Sequence, residues 1–178
     1  QVDYDLGFAS LIYLGSYRDL DYASSYDFDG GNPTFNRAGI SLTNAEQTEF
    51  WSNELRLASP DSSPINWVAG LYQFSQRVDR QDLIGLYNRA SLTAPVPAPP
   101  PTDRFDQAAA LDSFAAYADV TVPLGDRFKV FGGMRYSRDD KDFSISNLLG
   151  TALLRSTERY AASASDSFDA VTWRLGLD

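Results

Sequence analysis

The sequence predicts an all-β protein of antiparallel, up-and-down strands, about six in number. Three observations carry that prediction. Apolar and polar residues alternate with a period of two in one segment after another. Short Pro/Gly/Asp turns and long polar stretches join these segments by turns. No segment holds a 3.6-residue repeat long enough to make a convincing helix.

A strand fits the region from about Phe8 to Tyr22, although neither of its faces is clearly apolar. The next runs from Phe50 to Ala58, turns at Ser59-Pro60-Asp61-Ser62-Ser63-Pro64, and returns from Ile65 to Gln76. From Ser113 to Val122, Phe114, Ala116, Ala118, Val120 and Val122 alternate with more polar positions. After Pro123-Leu124-Gly125-Asp126 the pattern resumes, with Phe128, Val130, Gly132, Met134 and Tyr136 on one face. The last strand spans about Phe168 to Asp178, with Val171, Trp173, Leu175 and Leu177 on one side. Long polar connections are expected at about Phe28 to Ala45, Arg80 to Ala108 and Asn147 to Ser167. The prolines of Ala94 to Thr102 favour an extended, exposed spacer, and Ala152 to Ser163 could form a helical turn or two.

Composition limits the chemistry. The 178 residues suffice for one ordinary domain, and 43% hydrophobic against 22% charged residues excludes wholesale disorder. A net charge of −9 argues against nucleic acid as a partner. With no His and no Cys, the chain has no imidazole or thiolate zinc site, no Ser/His or Cys/His nucleophile and no disulfide. Charges or prolines interrupt every apolar run before the roughly 18 residues of a membrane-spanning helix. The acidic start Gln1-Val2-Asp3-Tyr4-Asp5 is not a secretory signal. The chain is therefore cytosolic, a mature exported protein, or a piece of something longer.

Alternating strands suit either a sandwich, which hides its apolar face, or a membrane barrel, which gives that face to lipid. Phe128 to Tyr136 spans roughly 26 Å at about 3.3 Å per residue, or roughly 20 Å of height at a tilt of about 40°. Phe114 to Val122 has the same reach, so both approach the roughly 25 Å apolar band of an outer-membrane barrel. Aromatic residues sit at the ends or along the rows: Phe128 and Tyr136, with Phe114, Trp51 and Trp173 on other strands. The opposing row holds Tyr117, Asp119, Lys129, Arg135, Arg174, Glu54 and Arg56, too charged for a dry core and suited to a wet lumen. One strand resists: if Trp51, Leu55 and Leu57 meet lipid, Asn53 must too, at about a few kcal/mol unless it finds a partner. Six strands cannot close a barrel, since the smallest need about eight. The fold class is thus a partial, unclosed transmembrane β-barrel sheet.

Three segments resemble the TonB-dependent receptor family, the outer-membrane active transporters of Gram-negative bacteria: Thr48 to Pro60 followed by Trp67 to Gln76, Phe114 to Phe143, and Thr172 to Asp178. Leu11 to Tyr22 looks like an earlier strand of the same barrel. The resemblance implies that residues 1–178 are a portion of the barrel domain, with the plug domain absent. It implies contact with outer-membrane lipid, a small-molecule ligand such as a siderophore, vitamin or saccharide, and energy from the TonB complex acting through that plug. Neither an enzyme nor a resident cofactor is implied.

Ligand capture would then fall to the long connections and the upper lumen, where Tyr26, Asp27, Asp29, Asn32, Arg80 and Tyr87 are the candidate ligand-binding residues. Asp27-Phe28-Asp29-Gly30-Gly31-Asn32 is not an EF-hand, because its fifth and twelfth positions are Gly31 and Ala38, so it reads as a glycine turn. Arg138-Asp139-Asp140-Lys141-Asp142 reads as mixed charge just beyond the apolar band. No catalytic or metal-ligating residue is predicted. Two other functions compete: a secreted carbohydrate-binding β-sandwich and a passive porin. The sandwich requires a second sheet over Val130, Met134, Val171 and Leu175, whereas the barrel leaves them uncovered.

Overall fold

In the computed structural model, described for residues 1–28, 30, 38–88, 103–147 and 159–178, the chain forms one sheet. Its strands are β1 (Val2–Asp5), β2 (Ser10–Asp27), β3 (Ala38–Ala58), β4 (Asn66–Asn88), β5 (Asp103–Leu124), β6 (Phe128–Asn147) and β7 (Ala161–Leu177). Spatial order equals chain order, and every neighbouring pair is antiparallel. β1 and β7 do not pair, so the sheet is unclosed.

Seven strands replace the expected six or so. The addition is β1, which turns into β2 through Leu6–Ala9, where Gly7 takes a left-handed φ of +83° and Leu6 N–H donates to the Ala9 carbonyl. Four residues are too few to display an alternation, so this strand is silent in sequence. The other strands run further than their apolar pattern. β3 begins at Ala38, β4 continues to Asn88, β5 begins at Asp103 and β7 at Ala161, all inside segments expected as connections. The reason is physical: where both faces of a strand meet water, no apolar–polar alternation marks it, yet the backbone ladder still forms. Ala161 to Ser163 are accordingly strand, not helix. The rest of that proposed turn and the proline run from Ala94 lie outside the described residues, apart from Arg159 and Tyr160, which precede β7.

β2 to β7 hold 17 to 23 residues each. Twenty residues at about 3.3 Å and a tilt near 40° stand roughly 50 Å tall, twice the apolar band of an outer-membrane barrel. The short turns at 6–9, 59–65 and 125–127 lie at one end of the sheet, and the three long connections leave from the other.

Among the described residues a core is nearly missing: the buried hydrophobic ones are Ala9 and Ala115. The accessible surface is 12397 Å², about 40% above the roughly 8,600 Å² of a compact monomer of 19.7 kDa. Among the described residues no second layer covers the sheet. Met134, Val171 and Leu175 are 61%, 59% and 72% exposed, which removes the sandwich.

Candidate functional site: a charged wall backed by an apolar belt

Cross-strand register assigns every residue to one of two faces, because directly paired residues share a face. One face collects Leu11, Tyr13 and Tyr17 of β2, Trp51, Leu55 and Leu57 of β3, and Trp67, Ala69 and Leu71 of β4. It continues through Phe114 to Val122 of β5, Phe128 to Tyr136 of β6, and Val171 to Leu177 of β7, counting alternate residues. The apolar rows predicted strand by strand thus fuse into one belt.

The belt itself measures the strand tilt. Its upper aromatic edge is Tyr17–Trp51 on β2 and β3, but Trp51 lies on the same cross-strand row as Ser75, Asp112 and Asp140, four residues beyond Tyr136. Between β3 and β6 the edge therefore drops about 13 Å along the strands over three spacings of about 4.8 Å. The implied tilt is roughly 40°, which is the inclination required of strands in a membrane barrel.

Asn53 does share this face, opposite Gly15 and Gln73. Its side-chain oxygen accepts a hydrogen bond from the Tyr13 hydroxyl. Gly15 makes this possible, since a Cβ there would lie 2.8 Å from that hydroxyl. The predicted polar penalty is thereby offset.

The opposite face is polar. In its lower half, Tyr117 donates to Glu54 and accepts from Arg56 Nε at 3.1 Å, while Arg56 also meets Glu54 at 2.9 Å. Tyr117 reaches two strands across because its partner in β4 is Gly70, whose missing side chain leaves the space that the ring fills. Asp119 likewise passes over Gly133 to meet Arg174 Nε at 2.8 Å. These residues and Arg135 surround an open hollow of about 530 Å³. Glu54, Arg56, Tyr117, Asp119, Arg135 and Arg174 all stand on the face opposite the apolar belt, as the sequence predicts.

The upper half holds a second group. Arg80 binds Asp82 at 3.0 Å and faces Glu46 at 3.8 Å; Asp82 also accepts from Asn44 and Gln107. The bond to Asp82 raises the Arg80 pKa above its ordinary value, with Glu46 and Tyr26 adding to it. Tyr26 lies on this same face, paired with Leu42, whereas Asp27, paired with Ser41, lies on the other. Both candidates and Arg80 belong to strands and not to the connections in which they were expected. Tyr87 lies in β4 opposite Gly39, and its side chain is outside the described residues, as are Asp29 and Asn32 altogether. Sequence reasoning missed Asn44, Glu46, Asp82 and Gln107. Asp82 could have been found by stepping two residues from Arg80, but the others need the register.

Just above the belt on the outer face, Asp112 accepts from Arg77 at 2.6 Å and from Ser75 at 2.6 Å. The Arg77 bond is the larger cause of its lowered pKa. Arg138 and Asp140, from the run read as mixed charge beyond the band, pair there at 3.1 Å. Among the described residues no three His, Cys, Asp or Glu side chains converge as a metal cluster. The polar groups named above instead pair with one another along and across strands.

The family model described as TonB dependent receptor-like, beta-barrel, matches residues 1–178. None of the curated proteins matches the sequence. Among solved structures, the ferric yersiniabactin uptake receptor FyuA from Yersinia pestis aligns with a TM-score of 0.74 at 18% identity, over 98% of this chain and 24% of its own. The ferric citrate transporter FecA in its unliganded form aligns with a TM-score of 0.54 at 9% identity, over 96% of this chain and 23% of its own. The chain spans about a quarter of the length of each.

Proposed function

Since the chain belongs to the TonB-dependent receptor β-barrel family, we propose that it builds part of the barrel wall of an active importer in the outer membrane of a Gram-negative bacterium. The observation that carries this reading is the pair of opposed faces: an apolar belt of barrel height and tilt, backed by an ion-paired polar wall. The belt contacts lipid, and the polar wall lines the lumen. The long-connection end faces outward, as the short turns of such barrels face the periplasm.

The cargo is a siderophore, vitamin, saccharide or similar small molecule, and both structural neighbours are named for ferric chelates. Tyr26 and Arg80, with Glu46 and Asp82 beside them, are the wall residues we assign to its path. Asp29, Asn32 and Tyr87 remain candidates at the outward end. Energy enters through the TonB complex acting on a plug domain.

The test is uptake of labelled ferric siderophores, ferric citrate, cobalamin and oligosaccharides by cells with and without the gene that carries this chain. The reading expects one ligand class to lose uptake on deletion and equally on loss of TonB. Uptake that depends on the gene but persists without TonB would instead identify a passive porin.

A further inference from the structure

At the long-connection end of the polar wall, two buried side chains have no role in the wall's ion pairing. Asp103 is the first residue of β5 and pairs with Ile84. Asn147 is the last residue of β6 and pairs with Phe105, two positions from Asp103. The two residues therefore share a face as diagonal neighbours across the β5–β6 pair, a Cα separation of about 7–8 Å.

Asp103 is 1% exposed and Asn147 2%. Among the described residues, nothing donates to either carboxylate oxygen of Asp103 or to Oδ1 of Asn147. The acids nearby differ. Asp82 accepts from Asn44, Arg80 and Gln107, and Asp106 accepts from Gln81 and Arg104. Donors thus stand within four rows, those of Asp106 on the opposite face, yet three acceptor oxygens at this point receive none.

A buried carboxylate without hydrogen bond or counter-charge is not a stable ionised group. Burial raises the Asp103 pKa above the ordinary value, as expected when no positive charge among the described residues pairs with it. What the grouping lacks is positive charge, and the atoms offering to receive it are all oxygen. Oxygen donors suit hard cations, and a chain without His or Cys has no softer ligand to offer. Magnesium holds its waters and demands octahedral geometry, whereas calcium accepts bidentate carboxylate and amide carbonyl oxygens in a flexible shell.

We propose that Asp103 and Asn147 supply the protein ligands of a weak calcium site that ties the start of β5 to the end of β6. With a single carboxylate the rest of the shell is water, which places the affinity in the range of extracellular calcium modules, about 10⁻⁴ to 10⁻³ M. This site is independent of the cargo and of the transport reading, so each can fail without the other.

The experiment is calorimetric titration of Ca²⁺, and separately of Mg²⁺, into the whole receptor in detergent after chelator treatment, alongside Asp103→Asn and Asn147→Ala. The expected result is one saturable Ca²⁺ site in that range, weakened roughly tenfold or more by Asp103→Asn and severalfold by Asn147→Ala, with weaker Mg²⁺ binding. Heat-modifiable gel mobility confirms that each variant is folded, and Asn147→Ala alone decides the matter should Asp103→Asn fail that check. Absence of saturable binding up to about 10 mM, or parental affinity in the folded variants, overturns the proposal.

Discussion

Replacing Gly70 by valine should loosen the charged wall at its best-connected point. A Cβ at this position would lie 2.5 Å from Tyr117 Cζ and 2.6 Å from its hydroxyl oxygen, so the ring must swing off β4. With it go the bonds from Tyr117 to Glu54 and from Arg56 to Tyr117. Bonds to charged groups contribute about 1.5–3 kcal/mol each, but the Glu54 and Arg56 side chains are 20% and 37% exposed, so water replaces part of each. About 1 kcal/mol per bond is the reasonable figure, or about 2 kcal/mol in all. Valine's better strand propensity returns somewhat less than about 1 kcal/mol. Tyr117→Phe removes the same two bonds without a clash, also at about 2 kcal/mol. The double variant loses the bonds once, and its destabilisation should fall short of the sum by about 2 kcal/mol. Urea unfolding of the receptor in detergent, followed by tryptophan fluorescence, measures all four proteins. Additivity within about 0.5 kcal/mol would show that Tyr117 does not use the space over Gly70.

Three further outcomes follow from the same geometry. Val120→Arg, near the middle of the β5 apolar row, should cost about 2–4 kcal/mol in lipid, whereas Thr121→Arg, one residue on and facing the polar side, should cost under about 1 kcal/mol by the same unfolding assay. Tyr13→Phe strips Asn53 of its partner and should destabilise by about 1–3 kcal/mol, most of which Asn53→Leu in the same chain should restore. Asp112 has a folded-state pKa below its ordinary value of 3.8, chiefly through Arg77. Its stabilising contribution is therefore full above that ordinary value and is lost as pH falls through the lower folded one. Stability measured downward from about pH 5 should fall less steeply in Arg77→Met than in the parent.

Much of this is legible in sequence where one face is apolar and the other polar. The two-residue alternation assigns Val130, Met134 and Trp173 to the apolar rows, and the register brings those rows together on one face. The same contrast fades above the belt, where no alternation marks Arg80 and Tyr26 as the strand residues they are. Register was the larger gap. That Tyr13 reaches Asn53 past Gly15, or that Tyr117 crosses Gly70 to Glu54, depends on which residues pair across strands some 40 to 60 positions apart. Nothing local encodes those pairings. The glycines were visible as residues but not as the spaces through which neighbouring side chains pass.

The opposed solvation of the two faces is the claim on which the transport reading rests, and single-cysteine labelling tests it directly. These 178 residues contain no cysteine, so once any cysteine elsewhere in the receptor is replaced, spin labels can be placed one at a time along β6 and β7 in lipid vesicles. Collisions with oxygen, which concentrates in the bilayer, should dominate at Val130, Met134, Val171 and Leu175, while a water-soluble nickel chelate should dominate at Lys129, Arg135 and Arg174. The two profiles should alternate with a period of two and in opposite phase. Profiles without that alternation, or with the aqueous reagent favouring Met134 over Arg135, would contradict it.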